Sequence, residues 1–235
     1  EAELGVDSVS GYPMLSCTLR PKAGGYYSVG FTGYEAADTA VEGDYSQAAF
    51  WLAAGLSGGT VKLTGLTRNS RQGDRAILDI LIRMNAFLAF EHDDIIAVES
   101  QTEGTVIDAR DCPDLVPVLA ALASVSKGKT EIVNAARVRL KESDRLHAMA
   151  VELNQIGAKV EETKDGLIIE GVPALTGGTV SSWNDHRIAM ALAAISPRCK
   201  DSLIIEGAEA VAKSYPGFWD DFASISRIPP EVIKE

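Results

Sequence analysis

The chain's 235 residues are 46% hydrophobic and 23% charged, an ordinary globular balance with room for one large domain or two small ones. A net charge of −11 argues against nucleic acid as a partner, and with no run of about 18 apolar residues no membrane span is expected. Cys17, Cys112 and Cys199 lie too far apart for a disulfide framework or a zinc pattern and point to a reducing cytoplasm, while His92, His147 and His186 share no metal-ligand spacing.

The chain opens Glu1-Ala2-Glu3, with neither the basic start nor the apolar core of a signal peptide. Without an initiator Met it reads as processed or as beginning mid-protein. In residues 1–40, Tyr26 to Phe31 is strand-like, and Gly24-Gly25 and Gly33 mark turns. This leader is expected either to give strands to a neighbouring domain or to complete the last repeat of the domain C-terminal to it.

Residues 41–235 read as one domain in which three segments share one plan, at about 41–100, 105–172 and 179–228. The first has an apolar helix through Ala48 to Ala54, capped by an Asp44–Gln47 box and ended by Gly58-Gly59. A strand Thr60–Thr64 and an amphipathic helix from about Asp74 to Asn85 come next. A hairpin then pairs Phe87–Phe90 with Ile95–Val98 across a turn at Asp93-Asp94. The second has a helix from Asp114, a strand Thr130–Val133 and a helix from about Glu142 to the stop at Gly157. Its hairpin joins Lys159–Glu161 to Leu167–Ile169 across Asp165-Gly166. The third has a helix from Asn184, its expected N-cap, then a strand Ser202–Ile205 and a last helix from about Gly217 to Ile225, and no hairpin. Each unit reads helix, strand, helix, strand, strand. The helices from Asp44, Asp114 and Asn184 are apolar nearly all round, which predicts burial.

Lys141-Glu142-Ser143-Asp144-Arg145 carries four charges at a helix start. Lys141 and Arg145, four apart, would share a helix face, where like charges repel by about 0.2–0.5 kcal/mol unless an anion lies between them. Glu142 or a bound phosphate or carboxylate would serve. Read alone, the segment is a solvated helix start with an internal Glu–Arg pair. Polar groups also stand just before apolar helices at Asp111-Cys112-Pro113-Asp114 and Asn184-Asp185-His186-Arg187, where unpaired N–H groups and the helix dipole favour anions. Lys213-Ser214-Tyr215-Pro216 adds a further cation.

Taken in order with Asp44-Tyr45-Ser46-Gln47 and Arg68-Asn69-Ser70-Arg71-Gln72-Gly73-Asp74, these motifs make the chain resemble the 5-enolpyruvylshikimate-3-phosphate synthase family, over its C-terminal half, from about Val41 to the end. The resemblance implies an inside-out α/β domain of three repeats with buried parallel helices, forming one wall of a cleft. The other wall, the N-terminal domain, is missing: no Pro-Gly-Ser-Lys-Ser or Gly-Asn-Ser-Gly-Thr segment occurs. It implies transfer of the enolpyruvyl group of phosphoenolpyruvate to the 5-hydroxyl of shikimate 3-phosphate, a step of aromatic amino-acid biosynthesis needing no metal or organic cofactor. Glu142 would handle the proton of the methylene carbon and Asp114 that of the hydroxyl. Lys141, Arg145, Arg187 and Lys213 would hold the anionic groups, with His186 beside them. Arg137, where some members have Asn, joins the substrate-binding set.

Each residue also has a plainer reading. Asp114 would complement its helix dipole, with Pro113 in the first turn, His186 would be scaffold, and Cys112 a small apolar residue rather than a nucleophile. Three rival functions stay open: an enzyme like the UDP-N-acetylglucosamine enolpyruvyl transferase, which lacks the Lys-Glu-Ser-Asp-Arg and Asn-Asp-His-Arg pair; a non-catalytic half that merely binds anions; and a repeat scaffold for protein partners, which would leave the four cationic residues without a ligand.

Overall fold

A computed structural model describes residues 2–6, 13–19, 27–29, 38 and 40–231, and these fall into two units, Glu1–Val41 and Glu42–Glu235. In the first unit, β1 (Ala2–Val6), β2 (Pro13–Leu19) and β3 (Tyr27–Val29) form an antiparallel sheet in the order β1-β2-β3. Strand β3 covers part of the expected Tyr26–Phe31 stretch. The turn glycines Gly24, Gly25 and Gly33 lie outside the described residues.

The second unit opens with α1 (Tyr45–Gly58), β4 (Thr60–Leu63), α2 (Ala76–Arg83), β5 (Phe87–Glu91) and β6 (Asp94–Val98). Its sheet is antiparallel, in the order β4-β6-β5. The hairpin turns at His92-Asp93, one residue earlier than expected: Asp94 already pairs with Glu91, and His92 takes the left-handed backbone (φ +58°) that a two-residue turn needs. The second repeat holds β7 (Val106–Asp108), α3 (Val116–Ala123), β8 (Lys129–Val133), α4 (Arg145–Gln155), β9 (Lys159–Glu162) and β10 (Leu167–Glu170), its sheet in the order β7-β8-β10-β9. The third holds β11 (Gly178–Ser181), α5 (His186–Ile195), β12 (Leu203–Glu206) and α6 (Phe218–Ile225). No hairpin comes after α6 among the described residues.

The helix–strand–helix–strand–strand order holds in the first two repeats, and in the third no strand follows the second helix among the described residues. Strands β7 and β11 are not among the expected elements. Each precedes a buried helix and pairs in parallel with the strand after it, β7 with β8 and β11 with β12, so that each helix is a crossover between parallel strands.

The three helices without a polar face form the centre and pack on one another. Every residue of α3 is buried, as is every residue of α5 except Arg187. They run parallel. At their C-terminal ends Gly58 lies against Pro197, the Ser100 N–H donates to the Leu56 carbonyl and the Gln101 amide donates to the Val125 carbonyl. Their N-terminal ends therefore converge at the opposite end of the core.

At the start of α1, Asp44 caps as expected, accepting from the Ser46 N–H at 2.7 Å, but the box does not close. The Gln47 amide donates instead to Ser214 Oγ at 3.2 Å, and the Tyr45 N–H goes to Gln72 Oε1 at 2.9 Å. A loop glutamine 27 residues away thus satisfies one free N–H of the first turn.

Candidate active site

Helix α4 starts at Arg145, with Asp144 as its cap through the His147 N–H at 3.1 Å, so Lys141 to Ser143 precede it. Lys141 has extended backbone and shares no helix face with Arg145, which corrects the expectation drawn from their spacing. The Glu142–Arg145 pair is present at 2.6 Å, yet it is not part of a solvated helix start: the Arg145 side chain is 1% exposed.

Arg145 is the hub of the site. Its Nε donates to Asp185 Oδ2 at 2.8 Å, its Nη1 to Asp114 Oδ1 at 2.8 Å and its Nη2 to Glu142 Oε2 at 2.6 Å, with a second, longer bond to Asp185 Oδ1. A buried guanidinium is tolerable only when its planar fork is met by anions in this way. Each carboxylate belongs to a different helix start. Asp114 sits in the 3₁₀ turn Pro113–Leu115 that leads into α3, with Pro113 at its first position; Asp185 caps α5; Glu142 precedes α4. One side chain thus ties three helix starts together.

Asp185, rather than the expected Asn184, is the cap of α5: its carboxylate accepts from the Arg187 N–H at 2.9 Å. Asn184 is excluded from that role by its left-handed backbone (φ +53°), since a cap residue is normally extended. Asp185 is also fully buried and accepts from Ser143 Oγ at 3.0 Å. The motif containing Asp185 stands out in the sequence, but the residue itself is given no role there. The signal that points to it is an acid immediately before an apolar helix.

Around Asp114 stand two further cations. Lys141 Nζ lies 3.1 Å from Oδ1, and Arg187 reaches Oδ2 at 3.6 Å and the Asp114 carbonyl at 3.4 Å. Burial raises the Asp114 carboxyl, but Arg187, Lys141 and Arg145 outweigh it and hold the group below the usual carboxylate range. Asp185 is shifted the same way: burial raises it, and Arg145, the Arg187 N–H and Ser143 more than offset that. His186 is 6% exposed, and burial pushes its imidazole down against the pull of Asp185, which favours the neutral ring. Its Nδ1 has no hydrogen-bond partner among the described residues. At the start of α1, Asp74 accepts from the Ser46 hydroxyl, and burial lifts its carboxyl despite Ser46 and Arg187.

The structure brings Asp114, Lys141, Glu142, Arg145, His186 and Arg187 to one end of the helix core. Exposed Lys213 joins them through the Asn184 carbonyl, to which its ammonium donates. Arg137, exposed in the 3₁₀ turn Ala136–Leu140, has no ion-pair partner among the described residues. Its neighbour Arg139 is the one engaged, with Asp144 and Glu162. Cys112 is 3% exposed, and burial raises its thiol to about 11, which suits a packing residue and not a nucleophile.

The family model for EPSP synthase (3-phosphoshikimate 1-carboxyvinyltransferase) matches residues 27–222, beginning earlier than the Val41 at which the motif resemblance starts. The chain is 57% identical over 192 residues to the 3-phosphoshikimate 1-carboxyvinyltransferase of Clostridium kluyveri, covering 82% of this chain and 45% of that protein. It is 55% identical over 185 residues to the enzyme of the same name from Clostridium acetobutylicum, covering 79% of this chain and 43% of that protein. Among solved structures, EPSP synthase from Acinetobacter baumannii superposes with a TM-score of 0.70 at 32% identity, covering 78% of this chain and 46% of that one. The chain thus spans about half the length of the curated relatives it matches. Ordered motifs, repeat architecture and these matches agree: the chain belongs to the EPSP synthase family.

Proposed function

We propose that this chain is one wall of an enolpyruvyl transferase that joins phosphoenolpyruvate to the 5-hydroxyl of shikimate 3-phosphate and releases phosphate. The observation that carries the reading is the convergence of Asp114, Lys141, Glu142, Arg145 and Arg187 on the N-terminal ends of buried helices. Carboxylates for proton transfer and cations for a multiply charged enol phosphate lie within hydrogen-bond reach of one another.

The roles are those the family resemblance implies, and the geometry is compatible with them. Glu142, partly exposed, delivers a proton to the methylene carbon of the enol and later takes one back. Asp114 accepts the proton of the attacking hydroxyl as that oxygen bonds to the enol carbon. Loss of phosphate from the tetrahedral adduct then regenerates the carbon–carbon double bond. Three cations around Asp114 make it a weak base at rest. A bound anion that draws Lys141 and Arg187 to itself would raise its basicity at the moment of use. Lys141, Arg187 and Lys213 contact the substrate anions, with Arg137 at the rim. Arg145 fixes both proton carriers and offers its remaining N–H to the ligand, and His186 contributes as a neutral ring.

The reaction needs a second wall, both to complete the phosphate contacts and to shield the adduct from water. Residues 1–40 either supply strands to that other half or complete the third repeat. A cytoplasmic setting fits the free thiols of Cys112 and Cys199. Alone, the chain is expected to fold, to bind either substrate weakly and not to turn over, because ion pairs facing water contribute little. A phosphate-release assay with both substrates, run with and without a separately supplied N-terminal half, tests this. Activity only with both halves is the expected result. Steady turnover by the chain alone would refute the half-site reading, and no activity in either case would count against the reaction.

A further inference from the structure

Glu152 lies two turns beyond Arg145 on α4 and has no part in the chemistry above. It is 4% exposed, and no cation pairs with it among the described residues. Two N–H groups from one turn satisfy it instead. The Ser181 backbone donates to Oε2 at 2.9 Å, and the Trp183 indole donates to Oε1 at 2.6 Å. Both partners are donors, so only a carboxylate can accept at both oxygens; an amide would set its own NH₂ against one of them.

The turn it holds has an uncommon backbone. Trp183 and Asn184 are both left-handed, with φ of +54° and +53°. Asn visits that region readily, whereas a bulky residue such as Trp does not. Such a conformation persists where its surroundings over-determine it, and it clusters at sites of function. Here Ser181 Oγ accepts from the Trp183 N–H at 3.1 Å, and Ser182 Oγ accepts from the Asn184 N–H at 3.2 Å while donating to the Gly207 carbonyl at 2.8 Å. The Trp183 ring also meets His147 edge-on at 5.6 Å. The turn delivers two things to the site: the Asn184 carbonyl that receives Lys213, and Asp185, which caps α5 and grips Arg145.

We infer that Glu152 is a positioning residue for substrate binding. Its carboxylate locks the Ser181–Asn184 turn and so sets where Lys213 is held and how Asp185, His186 and Arg187 enter α5. The inference rests on the anion-binding reading of the site. Its test compares wild type with Glu152→Gln and Glu152→Ala, each combined with the complementary half, measuring KM for phosphoenolpyruvate alongside kcat. The alanine variant is expected to raise KM about tenfold or more, the glutamine variant less, with kcat changed less than KM. A merely structural role would leave KM unchanged and lower kcat in proportion to the folded fraction, and that result would overturn the proposal. If the wild-type assembly does not turn over, the proposed reaction fails, and titration of the chain with inorganic phosphate decides the role of Glu152. Weaker phosphate binding in the variants then supports positioning, and equal binding in all three overturns it.

Discussion

At the C-terminal end of α3 the chain satisfies its own polar groups with neutral ones. Ser124 Oγ donates to the Ala121 carbonyl at 2.6 Å, Ser126 Oγ donates to the Leu122 carbonyl at 2.9 Å, and Thr102 bonds Ser126. At their N-terminal ends α3 and α5 meet charge: a buried arginine, the carboxylates it binds, and Lys141 and Arg187 beside Asp114. At the C-terminal end of α3 the hydroxyls of Ser124, Ser126 and Thr102 are already committed. The other end keeps two cations on one carboxylate, Lys141 at 3.1 Å and Arg187 at 3.6 Å from Asp114. Parallel packing is what makes the division possible, because it gathers three positive dipole ends on one side.

The comparison breaks most readily at the hub. Arg145→Met leaves Asp185 fully buried without its cation and should cost about 3–5 kcal/mol in urea unfolding. A cost under about 1 kcal/mol would mean that the charged end is not held by Arg145. At the opposite end, a Cβ on Gly58 would lie 2.4 Å from that of Pro197. Gly58→Ala should therefore destabilise by about 1–3 kcal/mol through overpacking, with phosphate binding unchanged; altered binding would show that the two ends are not separate. The smallest effect concerns pH. Asp74 has a raised folded pKa, so its contribution favours the fold at low pH and is lost as pH rises through that value. Asp74→Asn should therefore stabilise the chain at pH 7, with the gain shrinking as pH falls toward about 4. Asp114 and Asp185 run the other way. Their lowered values give stability that is present at neutral pH and lost as pH falls through them, so acid unfolding should set in below about pH 4. Equal thermal stability of the Asn variant and wild type from pH 4 to 8 would contradict the assignment to Asp74.

Much of this architecture is legible in the sequence. Helices without a polar face can only be core, so α1, α3 and α5 are foreshadowed by composition along the chain, and Asp165-Gly166 marks a hairpin by itself. Strands β7 and β11 do not show, because three or four residues are too few for alternation and their partners lie beyond an intervening helix. Caps are legible where the partner is local, as for Asp44, and not where a distant residue draws the side chain away, as Ser214 does Gln47. The site residues stand out as an ordered set of motifs. The Glu142–Arg145 pair is foreshadowed by spacing, but that Arg145 also binds Asp114 and Asp185 is a matter of tertiary distance, which no spacing in the sequence encodes.

The central claim is that the charged end of the helix core carries proton transfer, and Glu142 is where it is most exposed to failure. In the chain assembled with its complementary half, Glu142→Gln keeps the shape and one acceptor for Arg145 but removes the titrating group. The account predicts a loss of about 10²–10⁴ in kcat with KM for both substrates nearly unchanged. Near-normal turnover in that variant would contradict it.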